Sequence, residues 1–208
     1  MDDMKIIYVA GLHGNERAPV EALREGGVDF ILGNPLAFEK NARYTECDLN
    51  ASFRLAGKKY EEVRAAEILD DIPEDNFVVD FHTTTSGSTP FAIITDKGMI
   101  PLAERAGLGI VVLMTHNIKD GHALINLRNG ISVEAGQHGT KESKEMTLRV
   151  VENIKSGEKF PVKIYEVYDR ITEPGEYINF EMHPGGFIPV LSGENAYDFY
   201  GLKAREMK

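Results

Sequence analysis

At 208 residues, 42% hydrophobic and 27% charged, the chain is long enough for one full domain with an appendage and can bury a sizeable core. Its net charge of −10 makes nucleic acid and anionic membrane surfaces poor partners, although a pocket can still be locally positive. The single cysteine, Cys47, excludes an intrachain disulfide framework and suits a reducing compartment. No apolar run approaches the roughly 20 residues of a membrane helix. The acidic start Met1-Asp2-Asp3-Met4 does not read as a signal peptide, so a cytoplasmic location is expected.

Residues 5–9 read as a first buried strand. Residues 16–24 follow as a helix, in which Pro19 fits only a first turn. Residues 28–32 read as a second short strand, stopped by Gly33-Asn34-Pro35. Tyr60, Val63, Ala66, Ile68 and Leu69 recur at helical spacing and predict a helix over 60–69. Strands are expected at 77–81, 91–95, 110–113 and 131–133, with helices at 101–106 and 141–154. Strands alternating with helices predict an α/β layered sheet. After Ser156-Gly157-Glu158 the character changes: 161–168 alternates in strand fashion, and Pro174-Gly175 and Pro184-Gly185-Gly186 supply turns. Residues 158–208 therefore read as a small β-rich appendage.

The chemistry-bearing residues gather at strand ends. His13-Gly14-Asn15-Glu16 follows the first strand, and His82 ends the apolar run 77–82. Two imidazoles and one carboxylate are a normal ligand set for a catalytic zinc ion, which keeps a fourth position open. The bland alternative is a helix-capping Glu and two unrelated histidines. Asp80 shares a strand face with His82, where it either orients the imidazole or is an ordinary strand-end acid. Residues 83–88 form a hydroxyl-rich loop that either lines a pocket or simply turns. Arg43 is a candidate donor to a developing oxyanion, and Asn50 a candidate contact for a substrate carboxylate or amide; both also read as plain loop residues. Glu134, at the end of a buried strand, is either a general base or a surface acid. His116, His122, His138 and His183 lack ligand spacing and read as loop histidines, Cys47 as an inert thiol, and Tyr197 as packing that could reach a pocket. No phosphate-binding or dinucleotide-binding glycine motif is present.

Taken in order, these segments resemble the aspartoacylase / succinylglutamate desuccinylase family, relatives of the zinc carboxypeptidases. The resemblance rests on Gly11-Leu12-His13-Gly14-Asn15-Glu16, Asn34-Pro35-Leu36-Ala37 with Arg43-Tyr44 and Asp48-Leu49-Asn50, Asp80-Phe81-His82-Thr83-Thr84, Glu134-Ala135-Gly136, and the C-terminal segments His183-Pro184-Gly185 and Glu194-Asn195-Ala196-Tyr197. It implies a zinc carboxypeptidase-like mixed sheet flanked by helices over 1–157 and a small C-terminal β-rich domain over 158–208. It also implies one zinc ion per chain held by His13, Glu16 and His82, with Glu134 as general base. Arg43 would stabilise the oxyanion and contact substrate, and Asn50 and Tyr197 would bind substrate. The implied substrate is a small N-acyl amino acid or related amide; a homo-oligomer is left open. One departure stands out: family members carry an Arg directly after the Asn of Asp-Leu-Asn, and here that position is Ala51. Arg54 lies three residues on; the family's further substrate-binding Arg upstream of the base also has no match, Arg128 being the nearest candidate but too close to Glu134. A carboxypeptidase-like metallopeptidase and a non-catalytic zinc-containing binding module are the rival readings.

Overall fold

Runs rich in Ile, Val, Phe and Tyr pair into a central sheet, and the amphipathic segments between them cover it. The computed structural model describes residues 5–87, 89–115, 121–194 and 198–207. In chain order the elements are β1 (Ile6–Ala10), α1 (Arg17–Glu25), β2 (Ile31–Leu32), α2 (Pro35–Glu39), α3 (Tyr60–Asp71), β3 (Phe77–Thr84), β4 (Phe91–Ile94), α4 (Ile100–Ala106), β5 (Ile110–Met114), β6 (Gly130–Gln137), α5 (Lys141–Ser156), β7 (Lys163–Ile171), β8 (Ile188–Val190) and β9 (Gly201–Glu206). Among the described residues the strands form one sheet in the order β2-β1-β3-β6-β4-β5-β7-β9-β8.

The sheet is mixed. The strands β2, β1, β3 and β6 run parallel, β4 pairs antiparallel with β6, and β5 and β7 continue parallel to β4. The segment 158–208 supplies β7, β9 and β8, joined to β5 within this same sheet. The chain leaves β1 toward β2 on one side and then returns to β3 on the other. Such a switch opens a crevice at the C-terminal ends of the two central strands.

Alternation divides the sheet into two faces. Tyr8, Ala10, Val79 and Phe81 point to the face covered by α1, α4 and α5, where they join Val20, Leu23, Leu102 and Val150 in the largest apolar cluster. Val9 and Val78 point the other way and pack with Ala65 and Ile68 of α3. On that second face, but toward the opposite edge, Phe91, Ile93, Val112, Tyr165 and Val167 form another apolar cluster with β8 and β9. Asp80 and His82 share the face of Val78, between these two clusters.

The expected strand at 28–32 shrinks to Ile31–Leu32. Gly27, at φ +62°, lets the amides of Gly27 and Val28 turn back to Arg24 and Leu23, so Val28 closes α1 instead of opening a strand. The turn signal Gly33-Asn34-Pro35 also starts α2: Asn34 Oδ1 accepts from the Ala37 amide at 3.1 Å, and Pro35 occupies the first helical position. Among the described residues, no helix is long and apolar enough to cross a membrane.

Candidate metal centre and its cavity

A tight turn after β1 delivers His13 and Glu16 to the crevice, with the Glu16 amide bonded to the His13 carbonyl at 3.1 Å. Two glycines make the turn possible. Gly11 sits at φ +73°, and a Cβ on Gly14 would lie 2.1 Å from the Ala37 carbonyl carbon, so only glycine lets this loop press against α2. Glu16 occupies the N-cap position of α1 but makes no capping hydrogen bond. Its carboxylate reaches inward: Oε1 lies 2.7 Å from His13 Nδ1 and Oε2 lies 2.9 Å from His82 Nδ1. All three side chains are buried, and one ligand atom from each lies within 4.8 Å of the others.

The outer nitrogen of each imidazole meets a second carboxylate. His13 Nε2 is 3.1 Å from Asp48 Oδ1, and His82 Nε2 is 2.7 Å from Asp80 Oδ2. Ser132 donates to the same Asp80 oxygen at 3.3 Å. The pattern turns both Nδ1 atoms toward one point and holds the rings by their far edges, the arrangement that orients metal-binding histidines. Burial opposes ionisation of Glu16, but the charges and hydrogen bonds of His13 and His82 outweigh it and hold the carboxyl well below its usual range. Burial likewise works against a charged His82, yet Asp80 and Glu16 keep its pKa well above the ordinary value.

Glu134 stands beside His82 in the β3–β6 register and lines the same cavity, of about 80 Å³. Its Oε2 is buried and has no hydrogen-bond partner in the protein. Burial pushes the carboxyl up to about 8; His82 pulls it down, while Glu16, Glu194 and Asp80 push it further up. Arg43 and Asn50 also line the cavity. The Arg43 guanidinium lies 3.2 Å from Asp48 Oδ2 and 3.9 Å from Glu16 Oε1. Asn50 Oδ1 accepts from the Leu124 amide at 3.2 Å, which leaves its Nδ2 on the His82 side, 3.5 Å from Nε2. Thr83 lines the cavity too, and its Oγ1 sits 2.6 Å from His138 Nδ1. His122 bonds the Phe53 carbonyl at 2.8 Å, away from the centre. Tyr197 and His116 lie outside the described residues.

A model of the succinylglutamate desuccinylase/aspartoacylase catalytic domain matches residues 27–155, more than half of the chain. The chain belongs to this family. A protein named "Probable aspartoacylase" from Prochlorococcus marinus is 36% identical over 109 residues, covering 41% of this chain and 36% of that protein. The match thus spans about a third of the length of that relative. A succinylglutamate desuccinylase of Erwinia tasmaniensis is 27% identical, covering 97% of this chain and 78% of that one. Murine aminoacylase 3 shares the fold with a TM-score of 0.76 at 20% identity, over 98% of this chain and 95% of that one. The succinylglutamate desuccinylase of Chromobacterium violaceum gives 0.75 at 17% identity, over 99% and 85%.

Within this desuccinylase/aspartoacylase frame, neither Arg54, near the Ala51 position, nor Arg128, the candidate upstream of Glu134, lines the cavity. Arg128 donates to the carbonyls of Leu69, Ile72 and Leu127, closing the end of α3. Arg54 is exposed. Two residues that matter here receive no role of their own from the sequence. Asp48 precedes the Leu49-Asn50 pair and reads as a loop acid until the fold brings it to His13. Glu61, fully buried at the start of α3, accepts from Asn34 Nδ2, from the amides of Thr45, Glu46 and Cys47, and from Thr45 Oγ1. Those bonds shape the loop that carries Arg43 and Asp48. Despite the cost of burial they hold the Glu61 carboxyl down to about 2.

Proposed function

We propose that this chain is a zinc-dependent hydrolase that cleaves the amide bond of a small N-acyl amino acid, with Glu134 as general base. One observation carries the reading: the His13–Glu16–His82 cluster and an unpartnered Glu134 carboxyl share one cavity at the sheet's switch point. The donor set fits zinc. It offers two imidazole nitrogens and one carboxylate, each imidazole is backed by a second carboxylate, and no thiolate takes part. Zinc held there would supply a Lewis acid that polarises the amide carbonyl and makes water acidic enough to attack near neutral pH.

The chain's own groups supply the rest. Glu134 takes a proton from the attacking water and returns it to the departing amine. Arg43 donates to the oxygen that gains negative charge, a role that suits a planar guanidinium already steadied by Asp48. Asn50, its amide oriented by Leu124, donates to a substrate carboxylate, as does Arg43 on the binding side. Tyr197 is proposed as a further substrate contact. The test is amine release from a panel of N-acyl amino acids by zinc-loaded protein, with Glu134→Gln as control. Release by the wild type and at least a 10³-fold slower rate in the variant is expected, within the roughly 10²–10⁴ that acid–base groups supply. Equal rates in both proteins would remove Glu134 from the chemistry. No release from any substrate would favour a zinc-containing binding module.

A further inference from the structure

The second face of the sheet changes character between β6 and β4. On β3 and β6 it presents Asp80, His82, Ser132 and Glu134; across the antiparallel seam, Ser132 faces Ile93, which in turn pairs with Val112. The cavity follows that change. Its apolar lining is Ile93, Met114, Ala123, Ile125 and Leu191. Ile93, Ile125, Leu191 and Met114 belong to the apolar cluster that β7, β8 and β9 complete, so this wall is backed by packed side chains. Leu191 holds φ +54°, a left-handed backbone unusual for leucine, while its side chain faces the cavity.

The charges sort the same way. Among the described lining residues Arg43 is the one Lys or Arg, and its guanidinium already meets Asp48 and Glu16. Glu134 and Glu194 add two carboxylates. Glu194 is held there by the amides of Thr85 and Ser86 and by Ser86 Oγ, at 3.0, 3.3 and 3.1 Å. One guanidinium can serve one substrate carboxylate; a second, on the apolar side, would enter beside Glu194 with no Lys or Arg among the described lining residues to meet it.

We propose that the preferred substrate carries an apolar group beyond the scissile amide, seated on the Ile93–Met114–Ile125–Leu191 wall, and only one carboxylate. This rests on the hydrolase reading and names its substrate class. The experiment compares N-acetylleucine (apolar side chain), N-isovalerylglycine (apolar acyl group) and N-acetylaspartate (second carboxylate). Binding is measured calorimetrically on zinc-loaded Glu134→Gln, turnover on the wild type. At least tenfold tighter binding of one apolar ligand than of N-acetylaspartate is expected, and which one binds tells whether the wall receives the side chain or the acyl group. In Met114→Lys, a change at a partly exposed position, the preference should narrow at least tenfold. Tighter binding of N-acetylaspartate, or no discrimination, overturns the proposal even where hydrolysis is observed. Selective apolar binding without turnover upholds the ligand class alone and sinks the hydrolase reading. No binding of any of the three overturns both.

Discussion

Each imidazole of the cluster is gripped at both nitrogens, by Glu16 on the inside and by Asp48 or Asp80 on the outside. Asp48→Asn and Asp80→Asn are therefore expected to weaken zinc binding by about 10–100-fold while leaving the fold intact. Zinc titration with a competing chelator measures this, and unchanged affinity would demote both acids to packing. His82→Ala removes a proposed ligand and should yield protein with a native circular dichroism spectrum and almost no retained zinc. The pH dependence follows from the same contacts. Against the cost of burial, Asp80 and Glu16 hold the His82 pKa well above its usual value, and burial pushes Glu134 up to about 8. A zinc ligand must be deprotonated, and a cation beside Glu134 lowers its pKa again. Zinc loading should therefore release protons, with affinity rising from pH 6 to 8. Heats identical in buffers of different ionisation enthalpy would contradict this. His13, Glu16 and His82 were legible because their types and strand-end spacing are themselves a ligand pattern. Asp48 was not, since its meaning depends on a partner 35 residues away.

At the level of elements, Glu61 ties α3 to the loop that carries Arg43 and Asp48. Burying a carboxylate is costly unless every oxygen is met, and here three amides, an asparagine and a threonine meet it. Its pKa falls from 4.5 to about 2, so its contribution to stability is fully present above pH 4.5 and is lost as the pH falls through 2. The magnitude is on the order of 3 kcal/mol. Glu61→Gln should lower stability by about 2–4 kcal/mol and flatten the acid limb of the stability curve, as read by urea denaturation from pH 2.5 to 6. An unaltered acid limb would mean that the loop holds itself. The helical period of 60–69 announced α3 but could not announce this, because Glu61 at its second position reads as an ordinary first-turn acid. The long periodic elements, β3 and α5, were equally plain. The five-residue α2 was hidden behind a turn signal, since asparagine followed by proline both stops a strand and starts a helix.

At the scale of the molecule, the pairing of β5 with β7 and the apolar cluster that runs from Phe91 to Ala204 cross the junction at residue 157. Heating should therefore give one calorimetric transition. Two separated transitions would mark 158–208 as an independent unit. Zinc at a hundredfold excess over its Kd should raise stability by about 2.7 kcal/mol, and chelation should remove that gain. The alternation of strands and helices made the α/β class readable, whereas the strand order was not, because β1–β3, β3–β6, β6–β4, β5–β7 and β7–β9 pair strands that are not consecutive in the chain. The seam between β6 and β4 carries a consequence for descent. The proposed reactive groups lie on one side of it and the apolar wall on the other, so a lineage should be able to drift at positions 93 and 114 while keeping positions 13, 16, 82 and 134. Relatives that share this chemistry should then have diverged in diet along β4 and β5 while staying alike along β3 and β6.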